Sequence, residues 1–172
     1  MGVNSQDFRL LARAARFRAV TCNSIIRGKA CAPVFIHNRA MSITLDVARK
    51  IIAAAEKKAA EIKQPMNIAV VDEGGNLVAH VRMDDAWIGS IDISINKAYT
   101  SRAFDISTKD LASHSQSGGQ FFGIHVSNGG RIMIFAGGIP LKRGGKVVGA
   151  IGVSGGSGEQ DHAVAEAGAA AL

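Results

Sequence analysis

Cysteine is almost missing from this 172-residue chain: there are two, Cys22 and Cys31, and both fall in the first forty residues. Residues 41–172 therefore hold no disulfide framework, no cysteine-bearing zinc site and no cysteine nucleophile. Aromatic residues are scarce as well. One tryptophan, one tyrosine and seven phenylalanines make poor stacking platforms for single-stranded nucleic acid. Three prolines exclude collagen and proline-rich disorder. No run of about 18 uninterrupted apolar residues is present, so no helix is expected to span a bilayer. A charge excess is also lacking where it would matter. The net charge of +6 comes from residues 1–40, where seven basic side chains (Arg9, Arg13, Arg16, Arg18, Arg27, Lys29, Arg39) face a single acid, Asp7. Residues 41–172 balance thirteen basic against thirteen acidic groups. Such a domain has no basic surplus to release counterions from a phosphate backbone, so nucleic acid is not an expected partner, and neither is a membrane.

The chain divides accordingly. Residues 1–40 read as a weakly ordered basic leader without the apolar core of a secretory signal, either targeting-like or upstream sequence ahead of a start at Met41. A cytoplasmic place is expected, with organellar targeting left open by that leader. Residues 41–172 read as one domain. Ala48, Ile51, Ile52, Ala55, Ala59 and Ile62 recur at spacings of three and four, which predicts an amphipathic helix capped by Thr44 and stopped by Pro65. Asn67–Asp72 and Leu77–Met83 flank Glu73-Gly74-Gly75-Asn76, a hairpin signal. A second helix is expected from about Ile88 to Phe104, with Ile88, Ile91, Ile95, Ala98 and Tyr99 on its packed side, and a short third one after Ser107. Three further strands follow, at Arg131–Phe135, around the Gly137-Gly138-Ile139-Pro140 corner, and at Lys146–Val153. A last helix begins near Glu159. The order α-β-β-α-α-β-β-β-α, with short links between strands, predicts an α+β fold: a profilin-like or PAS-like five-stranded antiparallel sheet with helices packed on it.

Candidate chemistry is sparse. Eleven glycines lie between Gly129 and Gly158, and the run from Gly152 to Gly158 offers free amides ahead of a helix, a place for a small anionic ligand. It is neither a Walker A loop nor a dinucleotide fingerprint, and no zinc or nucleotide motif is present. His80, His114, His125 and His162 make no i, i+4 pair, but one imidazole suffices as an axial haem ligand. Arg82 and Lys97 are placed to pair with a propionate or a small carboxylate. Glu56 and Glu61 read as a solvated helix face.

Several segments then accumulate into a resemblance. Ala69-Val70-Val71-Asp72-Glu73-Gly74-Gly75-Asn76-Leu77-Val78, Arg82-Met83-Asp84, Lys97-Ala98-Tyr99-Thr100, Gly137-Gly138-Ile139-Pro140 and Gly149-Ala150-Ile151-Gly152-Val153-Ser154-Gly155-Gly156, with Asp161 after them, follow at familiar intervals. Together they resemble the HbpS/GlcG-like, or haem-degrading-domain, family, which includes the C-terminal domain of PduO-type corrinoid adenosyltransferases and OrfY-type proteins of diol and glycerol operons. Asp85 stands where glycine is usual after Arg-Met-Asp, and the first helix carries no histidine. The resemblance covers residues 42–172. It implies a homo-oligomer that binds haem or a corrinoid, with a role in haem or iron handling or in diol utilisation. The cofactor-binding residues then expected are Arg82, Lys97, Thr100, Gly137, Gly138, Gly155 and Gly156. Two other functions remain open. One is an enzyme acting on a small hydroxylated or carboxylated metabolite, with Lys97 or His162 as acid/base. The other is a non-catalytic accessory subunit of a diol-utilisation complex.

Overall fold

A computed structural model describes residues 42–172, and the expectations for residues 1–40 lie outside the described residues. Helix α1 (Leu45–Glu61) starts at Thr44, whose Oγ1 accepts the Val47 amide at 3.3 Å, with Asp46 in the first turn opposite the positive end of the helix dipole. It ends short of Pro65 because Lys63 turns left-handed, φ 55°. Strands β1 (Asn67–Val71) and β2 (Leu77–Arg82) form the expected hairpin. Its turn is pinned by the Asp72 carboxylate, which accepts the Gly74 and Asn76 amides, each at 2.9 Å. Helix α2 (Gly89–Phe104) and helix α3 (Thr108–Ser115) follow, the latter capped by Ser107 Oγ on the Asp110 amide. Two short 3₁₀ turns, Ile124–Val126 and Asn128–Gly130, lead to β3 (Gly138–Arg143), β4 (Lys146–Ser154) and α4 (Gly158–Ala169). Gly144 and Gly145, with φ of 56° and 78°, make the two-residue left-handed turn that a tight hairpin between β3 and β4 needs.

The sheet runs β2-β1-β4-β3 with every neighbour antiparallel. The α+β layout stands, but the sheet has four strands where five were expected. The missing strand is Arg131–Phe135. Its backbone is engaged by a helix side chain instead: Thr100 Oγ1 of α2 accepts the Met133 amide at 2.9 Å and donates to the Arg131 carbonyl at 3.3 Å. A segment whose polar groups are tied to a helix has no ladder to complete.

The layers follow from alternation along the strands. Ile68, Val70, Ile151 and Val153 face α1 and α4, where Ile51, Ala55, Val164 and Ala165 join them in the main core. Each of the larger aliphatic side chains contributes roughly 1.5–3 kcal/mol by burial. Ala69, Val71 and Ala150 face the other way, toward Ala98 of α2. The packed side of α2 differs from expectation. Ser90, Ser94, Lys97, Ala98 and Ser101 are buried, while Ile88 is 75% exposed and Ile91 and Ile95 are half-buried. The cause is close approach of helix to sheet. Gly152 presents no side chain, and a Cβ there would collide with the Ser94 carbonyl oxygen and the Ala98 amide nitrogen. Where the helix comes that near its sheet, serine and alanine line the contact, Ile95 packs at its margin and Ile88 is left outside.

Gly152→Ala is therefore expected to destabilise the domain by more than the roughly 1–3 kcal/mol of ordinary overpacking, because backbone atoms cannot move aside. Gly89→Ala meets nothing within 4 Å and is expected to be neutral or slightly stabilising. Thermal unfolding of both variants checks the pair, and equal melting temperatures would contradict the close-approach account.

Candidate ligand-binding site

The polar centre of the fold is an ion pair. Lys97, in the middle of α2, and Asp161, in the first turn of α4, meet at 2.6 Å between Nζ and Oδ2, with side chains only 0% and 4% exposed. The ammonium also donates to the Val153 carbonyl at 2.9 Å and lies 4.6 Å from the centre of the Phe135 ring. The second carboxylate oxygen of Asp161 accepts the Gly156 amide at 2.9 Å. Burial pushes Lys97 below its ordinary pKa and Asp161 above its own. Their mutual attraction pulls each back, as do the Gly156 and Gly155 amides on the carboxylate. With both carboxylate oxygens and the ammonium engaged, the charged form of the pair is the one this geometry holds.

The glycines make room for it. Gly137, at φ 122°, passes so close that a Cβ would lie 2.9 Å from both Lys97 Nζ and Asp161 Cβ. Gly138 lies against the Lys97 carbonyl, and its amide donates to Thr108 Oγ1 at 2.8 Å. Gly155 packs on the Pro65 carbonyl. Lys97, Gly137, Gly155 and Gly156 thus meet at Asp161, while Gly138 lies against the Lys97 backbone. The anion that this glycine loop holds is the chain's own Asp161.

The other two expected residues stand apart from that cluster. Thr100 is buried, and its hydroxyl is spent on Arg131 and Met133. Arg82 is exposed at the end of β2, where Nη1 donates to the Ala86 carbonyl at 3.1 Å and holds the following turn. Asp85 in that turn has φ 65°, which accounts for the glycine usual there: only glycine adopts the left-handed region without steric cost. Arg82 and Lys97 do not converge on one carboxylate, because the Lys97 side chain is buried against Asp161 and the Val153 carbonyl.

Nearest the cluster, a cleft of about 290 Å³ opens at the start of α4, lined by Lys109, Ala136, Gly158, Glu159 and His162. His162 Nε2 sits 3.3 Å from Glu166. His80, on β2, has its pKa lowered by burial. One further side chain escaped the sequence reading. Arg131 lies with its guanidinium carbon 3.7 Å from the centre of the Tyr99 ring, and its Nε donates to Asn96 Oδ1 at 3.2 Å. The available signal was the spacing of Asp92, Asn96 and Tyr99 along α2, which puts them on one face.

The family model for haem-degrading HbpS-like proteins matches residues 43–170. An uncharacterised 15.0 kDa protein from the dhaT–dhaS intergenic region of Citrobacter freundii is 47% identical over 125 residues, 73% of this chain and 88% of that protein. The crystal structure of the ORFY protein of Klebsiella pneumoniae superposes with a TM-score of 0.75 at 37% identity, covering 86% of this chain and 97% of that one. The crystal structure of the PduOC–haem complex gives a TM-score of 0.71 at 31% identity, covering 74% of this chain and 92% of that one.

Removing one partner of the ion pair strands the other in the interior. Lys97→Met is expected to cost about 3–5 kcal/mol, and adding Asp161→Leu to recover much of the loss. Denaturant unfolding of the single and double variants checks this, and a double variant as unstable as the sum of two singles would contradict it.

Proposed function

The chain belongs to the family of haem-degrading HbpS-like proteins, and we propose that it is a homo-oligomeric tetrapyrrole-binding protein, with haem the first ligand and a corrinoid the second. The observation that carries this reading is the likeness to the PduOC–haem complex, at 31% identity over nearly the whole of that chain. The resemblance to PduO-type corrinoid adenosyltransferases makes the corrinoid worth testing beside it. The broader role is haem or iron handling, or service to diol utilisation.

The surface supports self-association. Trp87, Phe122 and Val126 are 67%, 66% and 72% exposed, large apolar side chains of the kind that oligomer interfaces cover. In this reading Lys97, Thr100 and the four glycines shape the domain that carries the ligand, and Arg82 is a surface contact. Iron would be supplied with the porphyrin, and the protein's part is to hold the macrocycle and its carboxylates.

Haemin added to the purified protein is expected to give a Soret shift that saturates at a fixed ratio to subunits, with cobalamin titrated in parallel. A linear, unsaturable response to both would overturn the reading. Val126→Asp is expected to lower the assembly state measured by light scattering, since a buried, unpaired carboxylate opposes an apolar interface. An unchanged mass would remove Val126 from that interface.

A further inference from the structure

We propose that Arg131 is the carboxylate anchor of the ligand site, placed on the outer face of α2; this rests on the tetrapyrrole reading above. The side chain is held ready before any ligand arrives. Its guanidinium carbon lies over the Tyr99 ring, 3.7 Å from the ring centre, and its Nε donates to Asn96 Oδ1 at 3.2 Å. Asn96 is in turn oriented by Asp92 Oδ2, which accepts its Nδ2 at 2.9 Å. Asp92 itself makes no ion pair with Arg131. The two Nη groups have no acceptor among the described residues, and the residue is exposed. A guanidinium tied through its face and its Nε keeps the Nη edge for a carboxylate, which it can meet with charge-assisted hydrogen bonds.

The surroundings select the kind of carboxylate. Ile88, Ile91 and Ile95 run along α2 at spacings of three and four into Tyr99. Ile88 is exposed and Ile91 half-buried, while Ile95, also half-buried, packs against the cluster of Ala69, Val71, Ala98 and Ala150. An apolar stripe that ends at a free arginine edge matches a flat apolar macrocycle bearing carboxylates at its rim. The other candidates lack this combination. Lys97 is sealed against Asp161 and Val153, and Arg82 spends Nη1 on the Ala86 carbonyl.

The test compares haemin with its dimethyl ester, in which both propionates are capped, on wild-type protein, Arg131→Met, Arg131→Lys and Tyr99→Leu, with thermal unfolding as the control for folding. Arg131→Met is expected to weaken haemin about tenfold to a hundredfold and to leave ester binding unchanged. Arg131→Lys and Tyr99→Leu are expected to fall between. Haemin bound equally by wild type and Arg131→Met would overturn the anchor and leave the tetrapyrrole reading standing. Equal weakening of haemin and ester would overturn it too, by showing a structural effect. Absence of saturable haemin binding to wild type would overturn both.

Discussion

The fold turns on one buried ion pair. Lys97 belongs to the layer on one face of the sheet and Asp161 to the layer on the other, and their 2.6 Å contact joins the two layers beside the end of β4. Removing two charges from water costs several kcal/mol each, and attraction offsets this only where geometry is good and the remaining hydrogen-bonding capacity is filled. Both conditions hold here, through Val153, Gly156 and the face of Phe135. The glycines around the pair are part of the same arrangement. Gly137 and Gly138 bring the chain against Lys97, and Gly152 lets α2 descend onto the sheet.

That descent has a consequence at the surface. A helix close to its sheet buries serine and alanine, and here leaves Ile88 exposed and Ile91 half-buried. The outward stripe on α2 is thus a product of the interior packing, and so is the placement of the segment from Arg131 to Phe135. Thr100 ties the start of that segment to α2, and Phe135 at its end lies over Lys97. The interior fixes both flanks of the surface that presents Arg131.

Much of this was legible in the sequence. Thr44 and Ser107 announced their helices, Gly74-Gly75 the first hairpin turn, and the sequence motifs the family. Two features were not fully legible. Arg131–Phe135 has strand composition, but whether such a segment pairs with a strand or with Thr100 is decided by tertiary contacts that no local pattern encodes. The face of α2 was legible only in part: Ala98 and Ile95 pack toward the sheet, but Ile88 does not, and the glycine that brings the helix down, Gly152, lies more than forty residues away. Lys97 was identified as important for a reason that the structure revises: its partner is Asp161, inside the protein.

With the interior closed by its own ion pair, the proposed arrangement has a ligand meet the outer face of α2. A crystal structure of the protein with haemin distinguishes that face from the interior. The macrocycle is expected against Ile88, Ile91 and Tyr99, with a propionate within hydrogen-bonding distance of the Arg131 Nη groups and the Lys97–Asp161 contact unchanged. A macrocycle lodged between α2 and the sheet, with Lys97 drawn away from Asp161, would contradict it.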